Sequence, residues 1–206
     1  MPKKVDHDMR REDLAKAAFR VIAKNGLAAA TLREVAREAH CSAGSLVHYL
    51  KSKDALLLEA AAYSIIVIRG RMIDIEEKYK GLDALRRVVM AGLPTDENTA
   101  GHWKIWFGFW EMSEQSPEVK KMLNERYAEA QRRYSNLIKG AQEAGDIPDD
   151  LNVPVLAASL TAMSDGIGVQ AIRSGIHMSA AKQRETINLW IDGMLRPKVR
   201  PASPRK

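Results

Sequence analysis

Cysteine is almost absent from this sequence: Cys41 is the only one in 206 residues. A single thiol excludes an internal disulfide and any metal site built from several cysteines. We interpret Cys41 as a small buried residue in a turn, and a redox-sensing thiol is the alternative. The fold is therefore expected to depend on its hydrophobic core and not on cross-links.

Aromatic residues are also scarce, at 6% of the chain, whereas alanine, methionine and the aliphatic residues dominate. That balance favours helices over a β fold. No apolar run approaches the roughly 18 residues that span a bilayer, and the polar first nine residues do not resemble a signal peptide. We therefore expect a cytoplasmic all-α protein that has no membrane partner.

Patterns typical of enzymes are lacking as well. The five histidines show no metal-ligand spacing. Gly166 and Gly168 do not follow a strand, as the glycines of a dinucleotide-binding loop would. We expect no enzymatic activity, no metal site and no cofactor.

Positive charge is present, and it is unevenly distributed. Residues 1–53 contain eleven Lys/Arg and six Asp/Glu, and residues 196–206 contain five Lys/Arg and no acidic residue. Residues 54–195 have sixteen basic and twenty acidic side chains. Basic ends of this kind favour a polyanion such as double-stranded DNA as the partner. The prolines among residues 196–206 predict a disordered basic tail.

The stretch from Thr31 to Lys53 predicts two short helices joined by a tight turn. Thr31 and Glu34 have the spacing of a capping box, which predicts the start of a helix. Residues 40–42 interrupt the helical pattern, and Ser42 can cap a second helix that continues to Leu50. Two helices separated by three or four residues are typical of a helix-turn-helix, whose second helix enters the major groove.

Residue by residue, this stretch resembles the DNA-binding motif of TetR-family repressors. The matching residues are Thr31, Val35, Ala36, Ala39, Ser42, Gly44, Ser45, Leu46, Tyr49, Ser52, Lys53 and Leu57. The sequence departs from the family pattern at His40, Cys41, Val47 and Leu50, where relatives have Gly, Val, Tyr and Phe. His40 is therefore expected to adopt a turn conformation that glycine reaches more easily.

The resemblance also implies which residues contact DNA. They are Thr31, Arg33, Ser42, Ala43, Gly44, Ser45, Val47, His48, Tyr49 and Lys53. Val47 lacks the hydroxyl that commonly binds a phosphate in relatives. Ser45, His48, Tyr49 and Lys53 are expected to compensate by carrying more of the contact, with leucines 46 and 50 in the core.

Helical patterns continue on both sides of the motif. A first helix is predicted at Arg10–Asn25, and a long helix from Lys53 towards Gly81 connects the motif to the rest of the chain. Residues 94–101 are expected to form a polar loop. We predict a helix-turn-helix domain at residues 1–52 (motif 31–50), a helical effector-binding and dimerisation domain at 53–195, and the tail at 196–206.

The segment from His102 to Glu114 is the most aromatic part of the chain. The spacing of Trp103, Trp106 and Trp110 places them on one face of a helix. Such a face is either hydrophobic core or the wall of a pocket for a cationic ligand. Residues 103–110 and 165–175 resemble the C-terminal half of the betaine- and choline-responsive (BetI-like) TetR repressors.

That second resemblance implies an effector site for choline or a related quaternary amine. The candidate ligand-binding residues are Trp103, Trp106, Phe107, Trp110, Tyr134 and Asp165. It also implies that the last two predicted helices, at residues 153–174 and 179–195, pair with a second copy as a four-helix interface. A purely internal core is the alternative for these helices.

Together these features predict a repressor that binds a roughly palindromic operator as a homodimer and is released by a small-molecule effector. Two alternatives stay open at the level of the sequence. One is a helical small-molecule-binding or protein-interaction module with a degenerate motif, because His40 and Val47 depart from the pattern. The other is a DNA-binding regulator that has no inducer.

Overall fold

The computed structural model of the chain describes residues 2–50, 52–173 and 177–195, with side chains from residue 10 to residue 193. All regular structure in these ranges is helical, which confirms the predicted all-α fold. The helices are α1 (Pro2–Asn25), α2 (Leu32–Glu38), α3 (Ala43–Tyr49), α4 (Lys53–Lys78), α5 (Gly81–Gly92), α6 (Glu97–Ser113), α7 (Pro117–Glu143), α8 (Val153–Arg173) and α9 (Ala180–Leu195). The predicted tail at 196–206 and the end of the 165–175 motif lie outside the described residues.

Serine caps determine where three of these helices begin. The hydroxyl oxygens of Ser42, Ser52 and Ser116 accept hydrogen bonds from the backbone amide three residues later, at 3.0, 3.1 and 3.3 Å. Each bond satisfies an amide that has no partner within its helix. The predicted starts of α3 and α4 are confirmed, and α7 begins at a cap of the same kind.

The helix that carries the aromatic segment begins earlier than the sequence predicts. Asp96 Oδ1 accepts from the Thr99 amide at 2.8 Å, and Thr99 Oγ1 accepts from the Asp96 amide at 3.1 Å. This reciprocal cap starts α6 at Glu97. The prediction of a loop is therefore wrong for residues 97–101.

Two hydrophobic cores hold the helices together. The first joins α1–α4 to α6 and to the beginning of α7, with Ile22, Leu46 and Trp106 among its fully buried residues. The second joins α5, α7, α8 and α9. Because the first core extends across residue 53, the domain boundary placed there stays a prediction.

Helix α8 is, by length and composition alone, apolar enough to cross a membrane. The core helices of soluble proteins pass the same test. In this fold Leu156, Leu160 and Ile167 of α8 are buried in the second core. We therefore attribute the apolar character of α8 to its packing against the other helices of the second core.

Helix α6 and helix α1 approach each other very closely at Gly101. A Cβ atom at that position would lie 2.6 Å from Ala23 Cβ and 3.1 Å from Ala23 Cα. The Lys104 ammonium also donates a hydrogen bond to the Ala23 carbonyl, in the last turn of α1. A cation is favourable there because the C-terminal carbonyls of a helix carry partial negative charge. Helix α6 is thereby fixed to the back of the helix-turn-helix.

We expect Gly101→Ala to destabilise the protein by about 1–3 kcal/mol, because the added methyl meets the α1 backbone. Gly70→Ala is the matched control, since nothing lies within 4 Å of a Cβ at residue 70 of α4. That control should be neutral or stabilising by up to about 1 kcal/mol. Urea unfolding followed by circular dichroism measures both. Equal stability of the two variants would contradict this account of the α1–α6 contact.

Candidate nucleic-acid interface and internal cavity

Helix α2 begins at the predicted cap, but only half of the expected capping box forms. Thr31 Oγ1 accepts from the Glu34 amide at 3.2 Å. The Thr31 amide donates to the Ala29 carbonyl at 2.8 Å, and the Glu34 carboxylate accepts from Arg37 at 2.6 Å. The Thr31 amide therefore does not donate to the Glu34 carboxylate, because each of these groups is already bonded to another partner.

The turn between α2 and α3 depends on a strained residue. His40 has φ of +51°, in the left-handed region, which confirms the predicted conformation. A side chain there costs roughly 1–2 kcal/mol relative to glycine. The His40 amide donates to Arg37 O at 3.2 Å, and the Cys41 amide donates to Ala36 O at 2.9 Å. Cys41 itself is a free, half-buried thiol against the first core.

Two buried leucines orient α3. Leu46 and Leu50 are 0% and 1% exposed, as predicted. They hold one side of the helix in the core and turn the other side outward. The outward-facing residues are Ser42, Ala43, Gly44, Ser45, Val47 and His48. Tyr49 is half-buried, with its ring edge-on to the His48 ring at 5.5 Å.

Basic side chains flank this face. Arg20 and Arg37 are neutralised by Glu38 and Glu34, each at 2.6 Å. Arg33 and Lys53 are exposed and form no ion pair with any described residue. Exposed hydrogen-bonding groups on α3 are thus accompanied by an exposed cation on α2 and another at the start of α4, as phosphate contacts require. The ten residues predicted to contact DNA, including the exposed Thr31, share this part of the molecule, and their role stays a prediction.

A cavity of about 100 Å³ lies between the helices of the C-terminal part. Five helices, α4 to α8, contribute to its wall. The lining residues are Ile65, Ile68, Arg69, Met72, Gly92, His102, Trp103, Arg126, Glu129, Ala130, Arg133, Tyr134, Thr161, Ser164 and Asp165.

Three of the six candidate ligand-binding residues line this cavity, and three do not. Trp103, Tyr134 and Asp165 are in its wall. Trp106 is 1% exposed and belongs to the first core, so the core alternative applies to it. Trp110 is half-buried beside that core, and the half-buried Phe107 meets it edge-on, with 5.0 Å between the ring centroids. The three tryptophans therefore do not form one wall of this cavity.

Trp103 is held rigidly. Its indole N–H donates to the Gly92 carbonyl at 2.8 Å, which satisfies the one polar atom of the ring. Its six-membered ring lies on Gly168 of α8, where a Cβ would be 2.3 Å from Cη2. The small residue at 168 thus makes room for the indole at the edge of the cavity.

His102 is a neutral imidazole. Its Nδ1 atom is 3.1 Å from the Trp106 indole nitrogen, which can only donate, so Nδ1 accepts and the proton is on Nε2. The Ser64 hydroxyl lies 3.0 Å from the same atom. Burial, together with the positive charge of Arg126, lowers the pKa of His102 well below its ordinary value. His102 therefore links α4 to α6 without adding charge to the cavity.

The remaining polar groups of the cavity are electrostatically coupled. Burial raises the pKa of Asp165, while the positive charge of Arg126 and a hydrogen bond from Tyr127 act in the opposite direction. Burial also raises the pKa of Tyr134. Ser164 Oγ is buried beside the Tyr134 hydroxyl and makes no hydrogen bond of ordinary length to any described residue.

Sequence patterns do not single out Arg126, His102 or Ser164, which the fold places in the cavity. The guanidinium of Arg126 lies over the Trp106 ring, 4.6 Å from its centroid. It therefore occupies the position that a ligand cation on that tryptophan would take. Arg126 is twenty residues from Trp106 and in another helix, so no local spacing connects the two.

Family models match both parts of the chain. Residues 14–60 match bacterial regulatory proteins of the tetR family, and residues 82–196 match the C-terminal part of BetI-type transcriptional repressors. The BetI regulator of Paraburkholderia phymatum is 30% identical over 201 residues, covering 95% of this chain and 97% of that protein. The regulator PksA of Bacillus subtilis is 25% identical over 199 residues, covering 94% of each chain.

Solved structures show the same architecture. A transcriptional regulator from Saccharomonospora viridis, in complex with choline, superposes with a TM-score of 0.82 at 24% identity, over 90% of this chain and 96% of that one. A regulator from Rhodococcus superposes with a TM-score of 0.76 at 25% identity, over 90% and 95%. The chain therefore belongs to the TetR family of transcriptional regulators, and within it to the BetI-type repressors.

Proposed function

We propose that this repressor acts in the cytoplasm as a homodimer that binds a roughly palindromic operator and is released by a small effector in the cavity. The observation that supports DNA reading most directly is the exposed face of α3. Its polar residues are held outward by buried Leu46 and Leu50, and the exposed Arg33 and Lys53 form no ion pair with any residue that the structure describes. Helices oriented in this way read the major groove in helix-turn-helix proteins.

The residues of α3 would read DNA by different chemistry. Ser45 and His48 offer hydrogen bonds to base edges. Val47, 44% exposed, offers an apolar surface that suits a thymine methyl group, and it has no hydroxyl with which to bind a phosphate. Lys53 is a point charge for a phosphate.

The effector is proposed to be a small quaternary amine. The cavity of about 100 Å³ suits a small ligand. The aromatic ring of Trp103 and the carboxylate of Asp165 in its wall suit a cationic group. The structural neighbour from Saccharomonospora viridis holds choline. Because α6 borders both the cavity and α1, a ligand that shifts α6 would also move the helix-turn-helix.

Dimerisation is proposed to use the outer faces of α8 and α9. Val155 of α8 and Leu189 of α9 are 59% and 73% exposed in the single chain. Large apolar side chains that stay this exposed mark surfaces that associate with a partner. Two such helices from each copy would form a four-helix interface.

We expect Ser45→Ala and His48→Ala each to weaken operator binding by about 1–3 kcal/mol, or roughly 5- to 150-fold, because each removes a base contact. His177→Ala, in the exposed turn before α9, is the matched control and should bind as wild type does. Gel shifts on DNA upstream of the protein's own gene measure the affinities. Unchanged binding by both α3 variants would show that this helix does not read the operator.

Lys53→Gln tests phosphate contact separately from base reading. We expect it to weaken binding to all duplexes alike and to lower the slope of log affinity against log salt by about one. Titrations of specific and random duplexes at several salt concentrations measure that slope. An equal slope in wild type and variant would contradict a phosphate contact by Lys53.

We expect Leu189→Glu to convert the dimer into monomers, because the change buries an unpaired carboxylate in the proposed interface. Ile66→Glu, at a residue of α4 that is 68% exposed and outside that interface, is the control and should stay dimeric. Sedimentation equilibrium at micromolar concentrations separates the two states. A monomeric wild type, or an equally dimeric Leu189→Glu variant, would refute the interface.

A further inference from the structure

The internal cavity has an open groove directly behind one side of its wall. This groove, of about 430 Å³, lies between α4, α5 and α7 on the outside of the molecule. Arg69, Glu129 and Arg133 line both the groove and the cavity. These three side chains therefore separate the cavity from the outside of the protein.

The separating side chains belong to a network of ion pairs that crosses from α4 to α7. Arg69 of α4 is 2.8 Å from Glu129 of α7. Arg133 of α7 is 2.6 Å from Glu76 of α4 and 3.7 Å from Glu129. We call these four residues the α4–α7 ion-pair network. Its positive and negative charges alternate and balance.

The backbones of α4 and α7 are held by other helices. Helix α4 packs against α1, α5 and α6, and α7 packs against α5, α6 and α8. Within the part of the chain that the structure describes, α4 and α7 do not pack closely against each other. Long charged side chains, and not two packed helix faces, therefore close the space between them.

Other sides of the cavity wall are tightly packed. Trp103, Tyr134 and Ser164 are each less than a tenth exposed, and the Trp103 ring lies on Gly168. Of the described residues that line the cavity, Arg69 alone is exposed. Close-packed rings cannot move without displacing their neighbours, so an opening at the indole would disturb the core.

Separation of the ion pairs is easier than displacement of the core. Their side chains are partly exposed, from 15% at Arg133 to 54% at Arg69. Water can replace each partner at such positions, so the pairs contribute little net stability. The α4–α7 ion-pair network is therefore the part of the wall that opens at the lowest cost.

We propose that the α4–α7 ion-pair network is the gate of the cavity. A ligand passes from the outer groove between α4 and α7 when the ion pairs separate, and the pairs re-form behind it. This inference rests on the proposed function, in which the cavity holds the effector, and it adds the route of entry. Glu129 contacts both arginines, so closure depends most on this residue.

A thiol placed inside the cavity measures opening of the gate without any effector. Ser164→Cys introduces it, and Cys41→Ala removes the only natural thiol. Iodoacetamide is a small neutral reagent that alkylates thiols, and mass spectrometry of the full-length protein gives the rate. We expect Glu129→Gln to raise that rate about fivefold, because it removes two charge contacts and keeps the size of the side chain.

Glu59→Gln in the same background is the matched control. Glu59 pairs with Arg11 at 2.5 Å and joins α4 to α1, outside the cavity wall. Its loss should change the labelling rate by less than about a factor of two. Raising NaCl from about 0.05 M to about 1 M screens exposed charges and should accelerate labelling. The acceleration should be smaller in Glu129→Gln than in Glu59→Gln.

Equal labelling rates in Glu129→Gln and its parent would overturn the gate, and so would equal acceleration by Glu59→Gln. Rapid labelling of every variant would show an open cavity, and no labelling of Glu129→Gln at high salt would show that no ligand enters there. Either result refutes the proposal. Thr161→Cys, in the same wall, replaces Ser164→Cys if melting curves show that the latter is unfolded.

Failure of the gate is distinguishable from failure of the proposed function. Labelling needs neither operator nor effector, whereas gel shifts measure operator binding directly. Unchanged labelling with intact operator binding refutes the gate alone. Absence of operator binding refutes the proposed function, and the labelling rates still decide whether the ion pairs control access to the cavity.

Discussion

The contact between α6 and α1 is the constraint on which the rest of the molecule depends. Gly101 allows the two backbones to meet at Ala23, and Gly108 makes similar room for Leu27. Trp106 and Phe109 then fill the core behind the helix-turn-helix, while His102 and Trp103 of the same helix line the cavity. Because protein interiors are close-packed, a displacement on one side of α6 is not absorbed before it reaches the other.

The polar bonds around α6 reinforce that arrangement. His102 accepts from Trp106 and lies beside Ser64 of α4, so the long helix and α6 share one buried hydrogen-bond network. Since His102 is neutral, the network adds no charge that a ligand would have to balance. The charged groups of the cavity wall come from α4, α7 and α8 instead, and they are Arg69, Arg126, Glu129, Arg133 and Asp165.

Sequence predicts the parts of this fold that local chemistry determines. Serine caps place the starts of α3, α4 and α7. The resemblance to the TetR motif, which has glycine at the position of His40, implies the strained turn there. Asp96 and Thr99 have the spacing of a reciprocal helix cap. This spacing indicates that α6 starts before the aromatic segment. The half-formed box at Thr31 shows the limit, because Arg37 competes for the Glu34 carboxylate.

Local sequence patterns do not predict the cavity, because its wall is formed by five helices that are far apart in the sequence. Helical spacing places three tryptophans on one face, but it does not say which neighbour covers each ring. Trp103 reaches the cavity because Gly168 of α8 leaves space for its ring. The Trp106 ring is covered by the guanidinium of Arg126 of α7. The cation that binds this tryptophan is therefore a side chain of the protein itself. The contact between Arg126 and Trp106 joins two helices, and no spacing within the aromatic segment encodes it.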